Sequence, residues 1–228
     1  YLAQPIPILK GRLVALAFLG AYVLVGQLAP LAQPILIVLV GLATPWLVVS
    51  GLRFRARYSA WQSLNFRFTG QVGDAVKYYL LLFLLMLPTL GMILPYIKYR
   101  QRRFIVEEHR FGGSRFGFEA DGANFYAIYL LGWLVAGGCM FGAGLLGAAL
   151  IADIGGNGTG RYAGDLAQAA AFTMVGLVYA GMFVGWVFIA ARVTNLTYNK
   201  ATLGAHGFRS SLRARDLFGL YLGNTLAI

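Results

Sequence analysis

Long apolar runs separated by short basic stretches constrain this 228-residue chain more than any other feature. A helix needs roughly 20 apolar residues to cross a hydrocarbon core about 30 Å thick. Residues 13–29 and 34–52 approach that length, and a short uncharged turn at residues 30–33 joins them. They read as one transmembrane hairpin. Residues 123–151 and 166–191 read as a second, joined by a glycine-rich connector at 153–164. Only 12% of the chain is charged, against roughly a quarter in ordinary soluble domains, so the runs are not an accident of spacing.

Between the hairpins, residues 76–97 are apolar and about one span long, but Pro88-Thr89-Leu90-Gly91 and then Pro95 interrupt them. Proline lacks a donor N–H and clashes with the preceding turn, so such a segment ends or kinks its helix. Charge adds a second constraint. Two of the 19 Lys and Arg precede the first hairpin, and sixteen more fall in residues 53–77, 98–115 and 192–215. Cytoplasmic loops are enriched in these residues, so both hairpins turn away from the cytoplasm. A single crossing by 76–97 would then put neighbouring basic stretches on opposite sides. A re-entrant segment, with the Pro-Thr-Leu-Gly break at its turn, removes the conflict and is preferred to one kinked span.

Two offsets bring the chain into register with itself. At 50 residues, Gly41, Pro45-Trp46 and Arg53-Phe54 match Gly91, Pro95-Tyr96 and Arg103-Phe104. At 92 residues, Gly112, Phe116 and Tyr129-Leu130 match Gly204, Phe208 and Tyr221-Leu222, although Val187 stands where a proline is expected. Each basic stretch also alternates aromatic and polar residues. His109 to Phe118 does so around Gly112-Gly113, which signals a hairpin, and Asn65-Phe66-Arg67-Phe68 and Thr197-Tyr198-Asn199 look related. The aromatics of these hairpins are expected at headgroup depth and the arginines near lipid phosphates.

The pattern Thr89-Leu90-Gly91, Pro95-Tyr96-Ile97-Lys98-Tyr99-Arg100 and Arg103-Phe104 resembles the YjgN family, also called DUF898. So do Asn199, Leu203-Gly204 and His206-Gly207-Phe208, and Ile8-Leu9-Lys10-Gly11-Arg12 near the start. The likeness covers essentially the whole chain and implies a multi-pass protein of the bacterial inner (cytoplasmic) membrane. It also implies one further Thr-Leu-Gly unit on either side of the sequence. It implies no established activity.

The expected fold is therefore an all-α polytopic membrane protein with two transmembrane hairpins, Pro/Gly-broken segments, short cytoplasmic β-hairpins and internal repeats. Its divisions are hairpin 1 at 13–52, a basic loop at 53–74, the broken segment at 75–97, a basic β-hairpin loop at 98–122, hairpin 2 at 123–191, a basic loop at 192–216, and the start of another membrane segment at 217–228. One membrane domain, cut at both ends, accommodates all of these.

Catalysis has little to work with. His109 and His206 are the only histidines and Cys139 the only cysteine, with no zinc, Walker or nucleophile-elbow motif. His109 follows Glu107 and Glu108, yet salt bridging to neighbouring arginines is the better reading, and Cys139 is expected to be a small buried side chain. No catalytic residue, cofactor or metal is assigned, and a non-enzymatic protein is expected. Asp74, Lys77, Asp121 and Asp216 flank the spans, and Asn124, Gln168, Thr173 and Asn224 are expected to hydrogen-bond between helices.

Three residue groups carry the functional expectations. Pro88, Thr89, Leu90, Gly91 and Pro95 are candidates for a substrate path through the broken segment. Arg53, Arg55, Arg57, Trp61, Arg100, Arg102, Arg103, Arg213 and Arg215 are candidates for contact with anionic lipid headgroups or a protein partner. Gly138 and Gly142, Ala143 and Gly147, and Gly181 and Gly185 sit four apart, which permits close packing of 123–151 on 166–191, or of two copies on each other. The net charge of +11 follows the span ends and interleaves with aromatics, so membrane lipids, and not nucleic acid, are the expected partner. Transport or accommodation of a small or lipidic substrate is the first functional expectation. The second is a scaffold that docks a partner, such as a membrane enzyme, through its basic-aromatic loops.

Overall fold

The computed structural model describes residues 5–61, 64–157 and 163–226. They fall into two compact units, residues 1–119 with 201–207, and residues 120–200 with 208–228.

In the first unit, α1 (Pro5–Leu28) leads through a 3-10 turn (Pro30–Ala32) into α2 (Gln33–Arg57). Pro34 sits in the first turn of α2, where its missing N–H costs nothing. The helix continues through Pro45 and on through Arg53, Arg55 and Arg57, so the basic stretch does not begin as a loop. Basic side chains in a last turn complement the negative end of the helix dipole, which favours this extension.

Strands β1 (Ala60–Trp61), β2 (Leu64–Phe68), β3 (His109–Phe111), β4 (Ser114–Phe118), β5 (Ala201–Leu203) and β6 (His206–Gly207) follow one another across a single antiparallel sheet. Gly112 and Gly204 take φ of +58° and +59° in two of its tight turns. The third expected hairpin starts four residues later than the alternation placed it, at Ala201. Thr197-Tyr198-Asn199 is helical, and the Thr197 hydroxyl donates to the Val193 carbonyl at 2.7 Å. The aromatics also differ from expectation. Phe66 lies 4.8 Å from Phe111 between ring centres, Phe68 lies 5.7 Å from Phe104, and Phe68 and Phe118 are buried. Phe68 and Phe104 fill the unit's core with Val49, Ala56 and Ala75, and Phe66 packs against it, because a sheet with one covered face puts its apolar alternation there.

The broken segment folds back on itself. It comprises α3 (Val72–Val76), a π-helical stretch (Lys77–Leu81), α4 (Leu82–Leu84), a run of turns and α5 (Leu94–Glu107). Gln101 donates to the carbonyl of Tyr78 at 3.2 Å, so the chain has reversed between them. The basic residues Lys98, Arg100, Arg102 and Arg103 are helical in α5, not part of a loop. Ile97 and Phe104, seven residues apart, are buried, and two helical turns bring them to one face.

The second unit contains α6 (Gly122–Asn157), α7 (Ala163–Asn199) and α8 (Ala214–Leu226). Helix α6 runs past the expected end at 151 and α7 past 191, so part of the connector 153–164 and much of the basic stretch 192–216 are helical. Arg161, Gly158 and Gly160 lie outside the described residues. Phe183 and Trp186 of α7 meet Phe218 and Tyr221 of α8, with ring centres 5.6 and 5.1 Å apart.

The residue offsets of the sequence reappear in the element bounds. Helices α2, α5 and α7 end at Arg57, Glu107 and Asn199, and α3, α6 and α8 begin at Val72, Gly122 and Ala214. Among the described residues, three helical stretches are long and apolar enough to cross a membrane: Pro30–Arg57, Gly122–Ala149 and Gln168–Asn199.

Candidate functional site

The turn of the fold-back segment is built by local chemistry. The Thr89 hydroxyl donates back to the Leu85 carbonyl at 2.7 Å, and the Gly91 N–H reaches Met86 at 3.0 Å. Leu90 and Gly91 take φ of +48° and +82°, a left-handed pair that stops the helix, and Pro95 then falls in the first turn of α5. Leu87 and Leu90 at this turn are 75% and 92% exposed, and Met92 is exposed too. Of the five residues assigned to a substrate path, Pro95 is buried in the protein and Thr89 is occupied by its own backbone. The described cavity of this unit lies elsewhere, at the base of the fold-back.

That cavity, of about 330 Å³, is lined by Asp74, Tyr78, Arg100, Arg103, Phe104, Glu107 and Glu108. Tyr78 reaches it from the π-helical stretch, a distortion common at functional positions. Arg100, Arg103, Phe104 and Glu107 come from α5, where spacings of three and four place them on one face. Arg100 donates to the Tyr78 hydroxyl at 3.3 Å, with its guanidinium carbon 5.1 Å from that ring's centre. Arg103 donates to Glu107 at 2.8 Å and to the Tyr99 hydroxyl at 3.0 Å. Those bonds, Glu107's foremost, raise the Arg103 pKa above the ordinary arginine value. Asp74 pairs with Lys77 at 3.1 Å, and Glu108 accepts from the Thr69 hydroxyl at 2.7 Å. Two guanidinium groups and three carboxylates thus share one small opening. Lys98 lies outside this lining; burial first, and the charge of Arg102 second, lower its pKa from the ordinary 10.5.

Of the other basic candidates, Arg55, Arg57, Arg102 and Arg213 are exposed, as is Trp61 at 64%. Arg215 lies 3.6 Å from Asp216. Arg53 has a structural bond, donating to the Gly70 carbonyl at 2.9 Å. In the second unit, a cavity of about 620 Å³ is lined by Phe188, Arg192, Asn195, Asn199 and Arg213 among others, with Arg192 over the Phe188 ring.

The glycine expectations divide. A Cβ on Gly181 would stand 2.6 Å from the Cβ of Cys139, and one on Gly185 would stand 2.8 Å from the Cβ of Ala136. Gly147 faces Met174 and Gly132 faces Ile189. The seam on α6 is therefore Gly132, Ala136, Cys139, Ala143 and Gly147, in steps of three and four. Gly138 and Gly142 sit one residue off that row, about 100° round the helix, and a Cβ on either would meet nothing within 4 Å. Cys139 is exposed, not buried, despite its contact with the seam.

His109 does not pair with the adjacent acids. Its Nδ1 lies 2.6 Å from the Ile105 carbonyl, while Glu107 is held by Arg103 and Glu108 by Thr69. No group of three metal-ligating side chains occurs among the described residues. Asn124 accepts from the Asp121 N–H, and Thr173 donates to Ala169 in its own helix, so neither serves the interhelical role expected. Of the cavity residues, Tyr78 went unnoticed in the sequence, while Asp74 was read only as flanking a span and Glu107 and Glu108 only as salt-bridge partners. The signal was available in α5, where Arg100, Arg103 and Glu107, three and four apart, mark a polar face.

Apolar helices of membrane length, joined to an antiparallel sheet of short hairpins, define a helical protein of the kind that resides in membranes. The chain belongs to the family DUF898, bacterial proteins of unknown function, whose profile matches residues 1–228. Neither the curated proteins nor the solved structures gave a match.

Proposed function

We propose that this protein sits in the bacterial inner membrane, with the arginine-rich helix ends in the cytoplasm, and accommodates a lipid at the fold-back segment. In this reading residues 75–97 are re-entrant. The apolar turn carrying Leu87, Leu90 and Met92 enters the lipid, and Tyr78 and Arg100 stay at headgroup depth. The observation that carries the reading is the mixed-charge cavity at the base of this exposed apolar turn. Arg100 and Arg103 suit a phosphate, because guanidinium forks match its oxygens. Asp74, Glu107 and Glu108 suit an ammonium. A headgroup bearing both, on acyl chains that reach the turn, fits the two ends of the segment. The protein binds such a lipid and moves it relative to the bilayer without chemical change.

The test is lipid retention and movement. The purified chain should retain phosphatidylethanolamine over phosphatidylglycerol in native mass spectrometry. Arg100→Ser with Arg103→Ser should abolish that preference. Flux of labelled phosphatidylethanolamine in proteoliposomes should fall in Gly91→Leu, which strains the turn. Retention without preference, or flux untouched by both changes, would sink the proposal. A stoichiometric protein that co-purifies, and is lost on changing Arg102 and Arg103 to Ser, would favour the scaffold reading instead. Cysteines placed at Asn65 and Ser114, in a Cys139→Ser background, should label from one side of sealed vesicles. Labelling from opposite sides would remove the re-entrant segment.

A further inference from the structure

The outer face of the sheet carries a row of arginines that the lipid reading does not use. The register pairs Arg67 with Arg110 and Arg110 with Arg115, so three arginines stand side by side on three neighbouring strands. Adjacent strands lie about 4.8 Å apart, so the row spans roughly 10 Å. Like charges directly opposite across a sheet repel one another and weaken it. Among the described residues no side chain forms an ion pair or hydrogen bond with any of the three, and the Nε of Arg110 is buried without a partner. The opposing face is filled by Phe66, Phe68, Phe111 and Phe116, so alternation fixes the arginines outward. Beside the row, Gly117 stands opposite Thr202, whose hydroxyl covers the space above it.

We infer that Arg67, Arg110 and Arg115 form a binding row for a water-borne ligand with a chain of linked phosphates. A repulsive triplet with unspent donors is matched by an elongated anion that bridges successive guanidinium groups, which one isolated phosphate cannot do. The side of the sheet separates this ligand from a membrane surface. Trp61 and Leu64 form a cross-strand pair, 64% and 49% exposed, on the aromatic face, which is the face suited to lipid. The arginines occupy the other face.

Inorganic triphosphate is the probe, titrated calorimetrically into the full chain in uncharged detergent. It should bind saturably, at least about tenfold more tightly than orthophosphate at equal ionic strength. Arg67→Gln with Arg115→Gln should weaken triphosphate by about tenfold or more, and Arg67→Lys with Arg115→Lys should lie between, since an ammonium lacks the fork. Arg209→Gln should change nothing. Without ligand, the double glutamine variant should melt no lower than the parent, because repulsion has been relieved. A row kept for structure alone would give a lower melting temperature, and that result overturns the inference. Unchanged triphosphate affinity, absence of saturable binding, or binding only to nanodiscs containing phosphatidylglycerol also overturns it.

Discussion

The guanidinium of Arg53 donates to the backbone carbonyl of Gly70, 17 residues on, across the whole β1–β2 hairpin. Asn195 makes the same bond to Leu212 at 2.8 Å, also 17 residues on. The offsets of 50 and 92, taken together, carry one pair onto the other. At the intervening position, Arg103 donates to Tyr99 and Glu107 and lines the polar cavity. A position that ties down the exit of a hairpin in two places thus faces an opening in the third.

Removing the clasp should cost stability in proportion to its bonds. Asn195 also accepts from the Ser210 hydroxyl and the Leu212 N–H, both at 2.8 Å. Asn195→Ala is expected to destabilise by about 2–3 kcal/mol and Arg53→Ala by about 1 kcal/mol. Thermal unfolding in one fixed detergent tests this, and equal melting temperatures for the two variants would count against it.

The helix seam makes a contrast between glycines. Gly185→Leu must displace Ala136 and the Gly132 carbonyl, 3.2 Å from where its Cβ would lie, at a cost of about 1–3 kcal/mol. Gly138→Leu points into open space and should be neutral or slightly stabilising through helix propensity. Urea unfolding of both variants should rank them in that order.

Backbone strain at the turn gives a gain by substitution. Leu90 holds φ of +48° while its side chain is 92% exposed, so Leu90→Gly should stabilise by about 1 kcal/mol in detergent. Gly91→Ala, at φ of +82°, should destabilise by about as much. A fall in melting temperature for Leu90→Gly would show that the leucine side chain outweighs its backbone cost.

Lys98 should make stability depend on pH. Its folded pKa lies below the ordinary 10.5, through burial first and Arg102 second, so the folded state binds fewer protons between those two values. The penalty is complete below the folded pKa and disappears as pH rises toward 10.5, so this group's contribution to stability increases with alkalinity. Lys98→Met should raise the neutral-pH melting temperature and flatten that slope. An unchanged slope in the variant would disprove the assignment.

Much of the architecture could be read from residue order. The apolar runs located every long helix, and Gly112-Gly113 amid aromatic alternation located a hairpin. The union of three hairpins into one sheet was not legible, because Phe68 pairs with His109 and Phe118 with Ala201 across long intervening segments. The basic stretches were read as loops on composition. The helical period shows at wider spacing, since the buried Ile97 and Phe104 stand seven residues apart and Arg100, Arg103 and Glu107 recur at three and four. Gly138 and Gly142 were misplaced for a related reason: a spacing of four gives a helix face but not which face. The row through Ala136 and Cys139 supplies that phase, and it became visible only with the partner helix alongside.

The register of Phe118 against Ala201 bears on how the molecule is made. A ribosome delivers β4 long before β5, with two membrane-length helices synthesised in between. Until α7 is inserted and its trailing residues emerge, the outer backbone of β4 lacks its ladder partner. Closure of the sheet is therefore a late assembly step, and its protection from hydrogen exchange during synthesis would time the insertion of both helices.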